Sequence, residues 1–590
     1  MSQRTVIVLK FGGSVLTREQ DLADATHEIY RWVREGWRVI AVVSALGKTT
    51  DRLLAQGHLY GVAPDPASLA ALVATGELTS AALLGLALGK AGIPAEVLDA
   101  ARLALQTQGP VLDSEPVDVD IAEIRRTLDR VPAIVVPGFL GRDVNGRTTL
   151  LGRGGSDFTA LFLAQRLNAR CRLVKDVKGL YERDPAKPGP IASRFRALSW
   201  DDALKLDGRI VQHKGVRFAR DHGLEFEVGA INGADVTTVG PRAIDTAIVN
   251  EPVPPPLRVA LLGLGTVGFG VYQHMNRRSD LFEITSVAVN NPKRHADNGV
   301  PLYLLTTDSA RAARSDCEVI VETIGEPIVS RALIETALRS GKHVVTANKA
   351  VIAQHGPRLH EIAREHGVEL LYSAAVGGSV PLIEAVTRLS RETRIESIEG
   401  VINGTTNAVL DRLASGSSLE DAVRDAQIAG FAEADPTRDL DGTDASDKLR
   451  ILIRHAFGVE LSASEIAQTG IVTLQPAAVA DAVQRGRRVR LLAKATRTAT
   501  GVCAIIAPTE LDLAHPCATT SGESNSLVIS TKEGQEVVTG KGAGRWPTAE
   551  AVVADLLSLA RLPHHLGTTR RPPYGAFSNS TPASQTVEVA

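Results

Sequence analysis

Residues 430–448 read GFAEADPTRDLDGTDASDK and pack five aspartates, one glutamate, one arginine and a closing lysine into one short stretch. A charge run of this kind is most often a solvated face. Asp444 and Lys448, however, stand four apart and share one face if the segment is helical. On an open surface such a pair contributes only about 0.2–0.5 kcal/mol. In a pocket the same lysine can neutralise and protonate an oxygen on which negative charge is building, and acidic neighbours keep it charged. The run is preceded by INGTTN (402–407) and by a turn spanning Gly430–Pro436. Small polar residues, a glycine turn and a charged helix face suit a polar substrate pocket, with the solvated face as the competing reading.

A second group of residues could hold a nucleotide. LRVALLGLGTVGFGVY places Gly263, Gly265 and Gly268 in GxGxxG spacing, with Thr266 and Val267 between the last two. The motif follows a strand pattern and opens a helix pattern, the context a dinucleotide fingerprint requires. Gly263 permits the tight turn, Gly265 the approach of a pyrophosphate, and Gly268 close helix–strand packing. The phosphates would then meet free N–H groups at the helix N-terminus. The next strand pattern ends VAVNNPKRH, with Asn290 and Asn291 where an acid would select NAD, and Lys293 and Arg294 following. That favours NADP or dual use; as ordinary loop cations the two residues would carry no such meaning. Thr323, Lys349 in GKHVVTANKA and Gly544 in GKGAGRWPT are further cofactor-side candidates. Lys349 lies just past a strand pattern, where open α/β sheets place ligand-facing residues.

A third group lies near the N-terminus. VIVLKFGGSVL sets Lys10, Gly12, Gly13 and Ser14 at a strand end, and TTLLGRGGSDFTA supplies Arg153, Ser156 and Asp157 around a second glycine loop. Loops of this kind can cradle phosphate on backbone N–H groups, with the lysine countering charge on a transferred group. No GxxxxGK[ST] is present, so a Walker-type P-loop is excluded.

The elements that must position these groups follow from the apolar pattern. Before residue 250, VIVLKF, VIAVVSAL, AIVVPGFL and CRLVKDV alternate with amphipathic stretches, which predicts an α/β unit. EPVPPPL (251–257) is too proline-dense for a helix or central strand and reads as a linker. The alternation restarts at residue 258 with LRVALLGLG, EITSVAVN, EVIVETIG and HVVTAN, predicting a Rossmann unit over 258–390, completed by 540–565. Residues 391–539 read as an inserted α+β substrate domain, and 566–590, rich in Pro, Ser and Thr, as a disordered tail. At 590 residues the chain is too long for one core. A net charge of -2 and 4% aromatic content give no reason to expect nucleic acid or an anionic membrane as partner. Cys171, Cys317, Cys503 and Cys517 form no CxxC pair, which argues against a zinc or disulfide framework and fits a reducing cytoplasm. MSQRTVIVLKFGGS reads as a first strand rather than a signal peptide, and no stretch is expected to span a bilayer; AALLGLALGKAGIPA is broken by glycines and Lys90.

AQIAGFAEADPTRDLDGTDASDK, with GLGTVG, TANKA, NGTTN, HPCATTSGESNSLVI and GKGAGRWPTAEAVVADLL, resembles the homoserine dehydrogenases over roughly residues 257–565. The resemblance implies NAD(P)H-dependent reduction of aspartate semialdehyde to homoserine and its reverse. It implies that Glu433 and Asp444 hold the substrate's ammonium and hydroxyl ends, that Lys448 delivers the proton, and that Lys349 sits between nicotinamide and substrate. It further implies a monovalent cation, Na+ or K+, on the backbone of Val376, Gly378 and Val380. KFGGS, VVSALGKTTD, ATGELTSAALL, VPGFLGRDVNG, LGRGGSD and KDVKGLYERDP resemble an aspartate kinase of the amino-acid kinase family over about residues 5–235. That resemblance implies phosphoryl transfer from MgATP to the aspartate β-carboxylate. Lys10 would stabilise the moving group; Glu77 and Arg153 would bind the amino acid with Thr49 assisting. Gly12, Gly13, Ser14, Ser156 and Asp157 would line the phosphate side, and Asp176, Tyr181 and Arg209 the nucleotide side.

The chain departs from these families at four positions and in its first loop, which reads KFGGSVL rather than the longer KFGGTSV. Ser373 stands where the dehydrogenases usually have Glu, and Asn290 where Arg is common; Lys175 replaces a Thr of the kinases, and Arg209 a Lys. The paired regulatory modules that usually follow the kinase domain are missing between the two halves, which implies a chain without that feedback apparatus. The expected function is therefore bifunctional, with a homo-oligomer (dimer or tetramer) and small-molecule substrates as the family-level expectation. The alternative is a dehydrogenase whose kinase-like half is a scaffold or binding module, and a third option is a kinase for another small acid.

Overall fold

Aliphatic and β-branched runs covered on both faces make buried parallel strands, and the runs before residue 250 do so here. The computed structural model describes residues 5–561 apart from 62, 186, 188–191, 207, 209, 234, 243 and 248–254. The candidate Arg209, residues 251–254 of the expected linker and the expected tail 566–590 lie outside the described residues. In the first half a nine-stranded sheet runs through strands beginning, in spatial order, at Asp245, Arg194, Val236, Phe226, Arg170, Val6, Arg38, Ala133 and Ala95. Val6–Phe11 pairs in parallel with both Arg38–Val43 and Arg170–Lys175. Its alternate residues serve two cores. Val8 packs with Ile40 and Leu173, while Ile7, Leu9 and Phe11 pack with Val39 and Val43. Lys10 and Lys175 thereby reach the same C-terminal edge of the sheet, where α/β folds bind ligands.

The Pro66–Ala91 helix corrects one expectation: by length and composition it is apolar enough to cross a membrane. Half of its most apolar window is buried inside the protein. Leu84 and Leu88 join the core beside Leu9, and Glu77 on the same helix is buried.

Leu257–Leu262 opens a parallel six-stranded sheet, whose strands begin in spatial order at Leu305, Phe282, Leu257, Val319, His343 and Leu370. Numbered along the chain this is 3-2-1-4-5-6, the doubly wound order, with its ligand crevice between the first and fourth strands. A second, largely antiparallel six-stranded sheet has strands beginning at Ile466, Val502, Arg487, Ile395, Ser524 and Gly534. The chain then returns, and the Arg545–Ala560 helix packs on Thr266–Arg277. Ala554 of that helix is also part of the first half's core.

One helix of the first half, Leu22–Arg34, carries several buried polar contacts to the second, beside those that Arg561 donates to Asn232 and the Lys541 amide to the Gly92 carbonyl. Asp24, His27 and Arg34, spaced three and seven apart, fall on one face. Asp24 accepts from Arg278 at 2.8 Å, and His27 meets His274 and Glu550. Arg34 is buried and donates to Glu384 at 2.9 Å, to Asp555 at 2.6 Å and to the Ser373 hydroxyl at 2.6 Å. The Ser373 amide donates to Asp555 at 3.0 Å. Truncating one partner of a buried ion cluster leaves uncompensated charge and costs about 3–5 kcal/mol. Arg34→Met is expected to lower the first denaturant transition of the full chain by that amount; a loss below about 1 kcal/mol would mean the halves are held elsewhere.

Candidate active sites

The charge run folds into the start of the Thr443–Phe457 helix, which Gly442 caps at φ 88°. Asp444 sits in the first turn, where the helix dipole favours a carboxylate. Its two oxygens face two lysines: Oδ1 lies 2.9 Å from Lys349 Nζ and Oδ2 2.8 Å from Lys448 Nζ. Burial alone would raise the Asp444 pKa, but Lys448 and Lys349 overcome it and hold the group far below the usual carboxylate range. Asp444 in turn raises the Lys349 pKa, against desolvation. Lys448 also donates to the carbonyl of Ile402 at 2.7 Å. Asn403, the N-cap of Gly404–Ala414, donates to Asp444 at 2.8 Å and to Asp439 at 2.6 Å. Burial first and Asp444 second push the Asp439 carboxyl upward.

The structure therefore brings Lys349, Asp444 and Lys448 together and adds Asn403, Asp439 and the Ile402 carbonyl. Asn403 was signalled by INGTTN; the Ile402 carbonyl had no signal, because a backbone atom carries none. Glu433 stands apart: it is exposed, and its carboxylate has no ion pair among the described residues. Each Asp444 oxygen is also paired with a lysine, which gives this residue a charge-gathering part that the expectation of a substrate anchor did not include. Of the unassigned acids, Asp435 is exposed and only closes its own turn on Thr437, while Asp447 is buried and takes Arg438 at 2.8 Å.

Lys349 begins the helix after His343–Thr346, and a buried glutamate steadies that strand end. Glu322 accepts from Thr346 at 2.5 Å, from Ser330 at 2.8 Å and from the Ile324 amide at 2.6 Å. The fingerprint loop adjoins it. Gly263 has φ 94°, and a Cβ on Gly268 would stand 2.3 Å from the Gly263 carbonyl and 2.6 Å from Thr323 Oγ1. Neither position tolerates a side chain. Gly265 caps the Thr266–Arg277 helix, and a Cβ there would meet nothing within 4 Å. Tight packing behind the loop and open space before it fit a pyrophosphate on the helix N-terminus. Asn290, Lys293 and Arg294 are exposed beyond the second strand. Gly544, φ 109°, caps the returning helix.

Val376, Gly378 and Val380 form a buried turn in which the Val380 carbonyl accepts from Leu382 at 2.7 Å. Ser373, standing in place of the expected carboxylate, is engaged with Arg34, and the neighbouring acids Glu384 and Asp555 are already paired with that guanidinium. These residues do not offer a cation a carboxylate to spare.

In the first half, Gly154 and Gly155 open the Gly155–Leu167 helix and bury Ser156 and Asp157 in its first turn. Asp157 lies between two lysines, 2.8 Å from Lys10 and 2.9 Å from Lys175. Burial opposes its charge, yet Lys10 and Lys175 hold its pKa down to about 2. Burial lowers the Lys175 pKa, with the neighbouring Lys10 ammonium adding to this against Asp157. Lys175, a departure at the level of sequence, is thus part of the cluster. Gly12 leaves the space Lys10 occupies: a Cβ there would come within 2.7 Å of Nζ. Glu77 is buried, its pKa raised to about 8 by desolvation. Its Oε2 has no hydrogen-bond partner among the described residues. Thr49 begins a helix packed on Gly76. Arg153, Ser14 and Asp176 are exposed, and Tyr181 is partly so.

These two sites define the chain as a phosphate-handling α/β domain joined to a dinucleotide-dependent dehydrogenase. Residues 5–223 match the amino acid kinase family, 263–373 the NAD-binding domain of homoserine dehydrogenase, and 381–557 the homoserine dehydrogenase domain. The chain is 38% identical over 316 residues to the homoserine dehydrogenase of Synechocystis sp., covering 51% of this chain and 73% of that one. It is 35% identical over 337 residues to that of Corynebacterium glutamicum, covering 54% and 75%. The crystal structure of a homoserine dehydrogenase from Thiobacillus denitrificans matches with a TM-score of 0.50 at 36% identity, covering 54% of this chain and 77% of that one. The chain belongs to the homoserine dehydrogenase family and carries an amino acid kinase family domain ahead of it. That domain order supports a bifunctional aspartate kinase–homoserine dehydrogenase.

Asp444→Asn removes the charge that keeps Lys349 protonated, so Lys349 loses its proton at lower pH. The alkaline limb of dehydrogenase turnover is expected to move down by about one pH unit, with a loss of about 100-fold at its optimum. An unmoved limb in the pH–rate profile would show that the lysines do not depend on Asp444.

Proposed function

We propose that the second half reduces aspartate semialdehyde to homoserine, reversibly, and that the first half phosphorylates the β-carboxylate of aspartate from MgATP. The observation that carries the dehydrogenase reading is the bonding of Lys448. Its ammonium has three N–H donors; Asp444 and Ile402 take two, which leaves one for a carbonyl oxygen. Bound NAD(P)H supplies the hydride. As negative charge develops on the aldehyde oxygen, Lys448 transfers its third proton there and becomes the neutral amine. Lys349, held protonated by Asp444, adds a second positive charge beside the reacting oxygen. In reverse, the Lys448 amine takes the hydroxyl proton. Exposed Glu433 is the residue we assign to the substrate ammonium. Thr266 and Val267 with the fingerprint glycines would hold the pyrophosphate, and Asn290 with Lys293 and Arg294 the adenosine ribose, where the missing acid favours NADP.

For the kinase, the support is Glu77 together with the paired lysines. A buried carboxylate with an orphaned oxygen suits an incoming ammonium, and Arg153 suits a carboxylate bidentately. Lys10 and Lys175, gathered by Asp157, supply two positive charges for the transferred phosphoryl group. Gly12, Gly13, Ser14 and Ser156 would line its path, and Asp176 and Tyr181 the nucleotide. One observation favours the scaffold reading instead: both lysines already have a partner within the protein in Asp157. We also propose a cytoplasmic homo-oligomer; the four free cysteines fit a reducing compartment.

Purified protein with ATP, aspartate and hydroxylamine is expected to form aspartyl hydroxamate, and Lys10→Ala to abolish it. No hydroxamate from the wild type would leave the scaffold reading standing. Lys448→Ala is expected to cut semialdehyde-dependent NADPH oxidation by at least about 100-fold while cofactor binding, followed by fluorescence, is retained. Near-normal turnover in that variant would remove Lys448 as the acid.

A further inference from the structure

The seam between the halves holds a cluster that neither reaction uses. His27 comes from the Leu22–Arg34 helix, His274 from Thr266–Arg277 and Glu550 from Arg545–Ala560. Their side chains are 5%, 10% and 4% exposed. His27 Nε2 lies 3.3 Å from His274 Nδ1. His27 Nδ1 contacts Glu550 Oε1, and His274 Nε2 is 4.0 Å from Glu550 Oε2. One donor atom from each of the three residues lies within 4.8 Å of the others. Tetrahedral ligands about 2.1 Å from a zinc ion stand roughly 3.4 Å apart, so small side-chain rotations would close the set.

The geometry points to a transition-metal site, His27–His274–Glu550, that binds zinc(II) and ties the kinase-like half to the dehydrogenase half. Two imidazoles and a carboxylate are a borderline-soft donor set that suits zinc. Neither His27 Nδ1 nor Glu550 Oε1 has a well-aligned hydrogen bond within the protein, although the two touch. An aligned carboxylate–imidazole bond would have satisfied both atoms, whereas a shared ion accepts both lone pairs. A cavity of about 150 Å³, bordered by Asp21, Asp24, Arg18, Arg277 and Arg278, reaches both His27 and His274 and gives an ion a route to the two imidazoles. The set is shared between three helices, so binding would stabilise their docking as well as the ion.

The test uses the full chain. After chelator treatment and reconstitution with zinc(II), elemental analysis is expected to find one ion per chain and a raised melting temperature. Cobalt(II) is expected to give the intense visible bands of a tetrahedral site. His274→Gln should lose the ion, whereas His274→Cys should keep cobalt and add a thiolate charge-transfer band. If the wild type takes up no zinc, or His274→Gln binds it equally well, the proposal fails and the cluster is only a polar seam. If His274→Gln does not fold, His274→Cys decides: a thiolate band supports the site, and bound cobalt without that band overturns it.

Discussion

Burying Arg34 constrains everything around it. A guanidinium cannot shed its charge, so a folded chain that removes it from water must surround it with acceptors. Glu384, Asp555 and Ser373 do so from three separate parts of the dehydrogenase half. The two halves therefore cannot be placed independently. The same helix that inserts Arg34 also brings Asp24 to Arg278 and His27 to His274 and Glu550. Asp555 lies on the returning helix that packs against the fingerprint helix, so the kinase-like half rests on the framework of the nucleotide crevice.

The two active sites solve one electrostatic problem in the same way. On the proposed reactions each presents positive charge to a reacting group, and two lysines close together repel. In each, a buried aspartate in the first turn of a helix lies between them: Asp444 between Lys349 and Lys448, Asp157 between Lys10 and Lys175. The helix dipole and the two ammoniums offset the cost of burying the carboxylate. The aspartate holds the cations at fixed positions, so little reorganisation is needed when charge develops. The sites differ in what else is buried. The dehydrogenase pocket satisfies its acids with Asn403 and the two lysines, while the kinase pocket keeps Glu77 with an oxygen that has no hydrogen-bond partner among the described residues.

The α/β pattern and the glycine fingerprint were readable because each is local. A strand's alternation and a glycine's steric freedom act over a few residues, and the sequence carries them whole. The four-residue spacing of Asp444 and Lys448 was readable for the same reason. The Pro66–Ala91 helix was misjudged because glycines and Lys90 looked like interruptions, whereas packing of its buried face sustains a helix through them.

By itself the sequence determined the order of the domains, the residue types at both sites and the helical pairing of Asp444 with Lys448. Only the tertiary structure decided which charges meet. Lys349 and Asp444 are far apart in the chain, as are Lys10, Asp157 and Lys175, and Coulomb attraction depends on distance in space. The structure showed Asp444 to be the link between two lysines. It gave Lys175 a partner and showed Ser373 to be the small residue beside which Arg34 enters. Position along the chain carries no sign of such pairings, because burial and charge compensation are settled only when distant elements pack together.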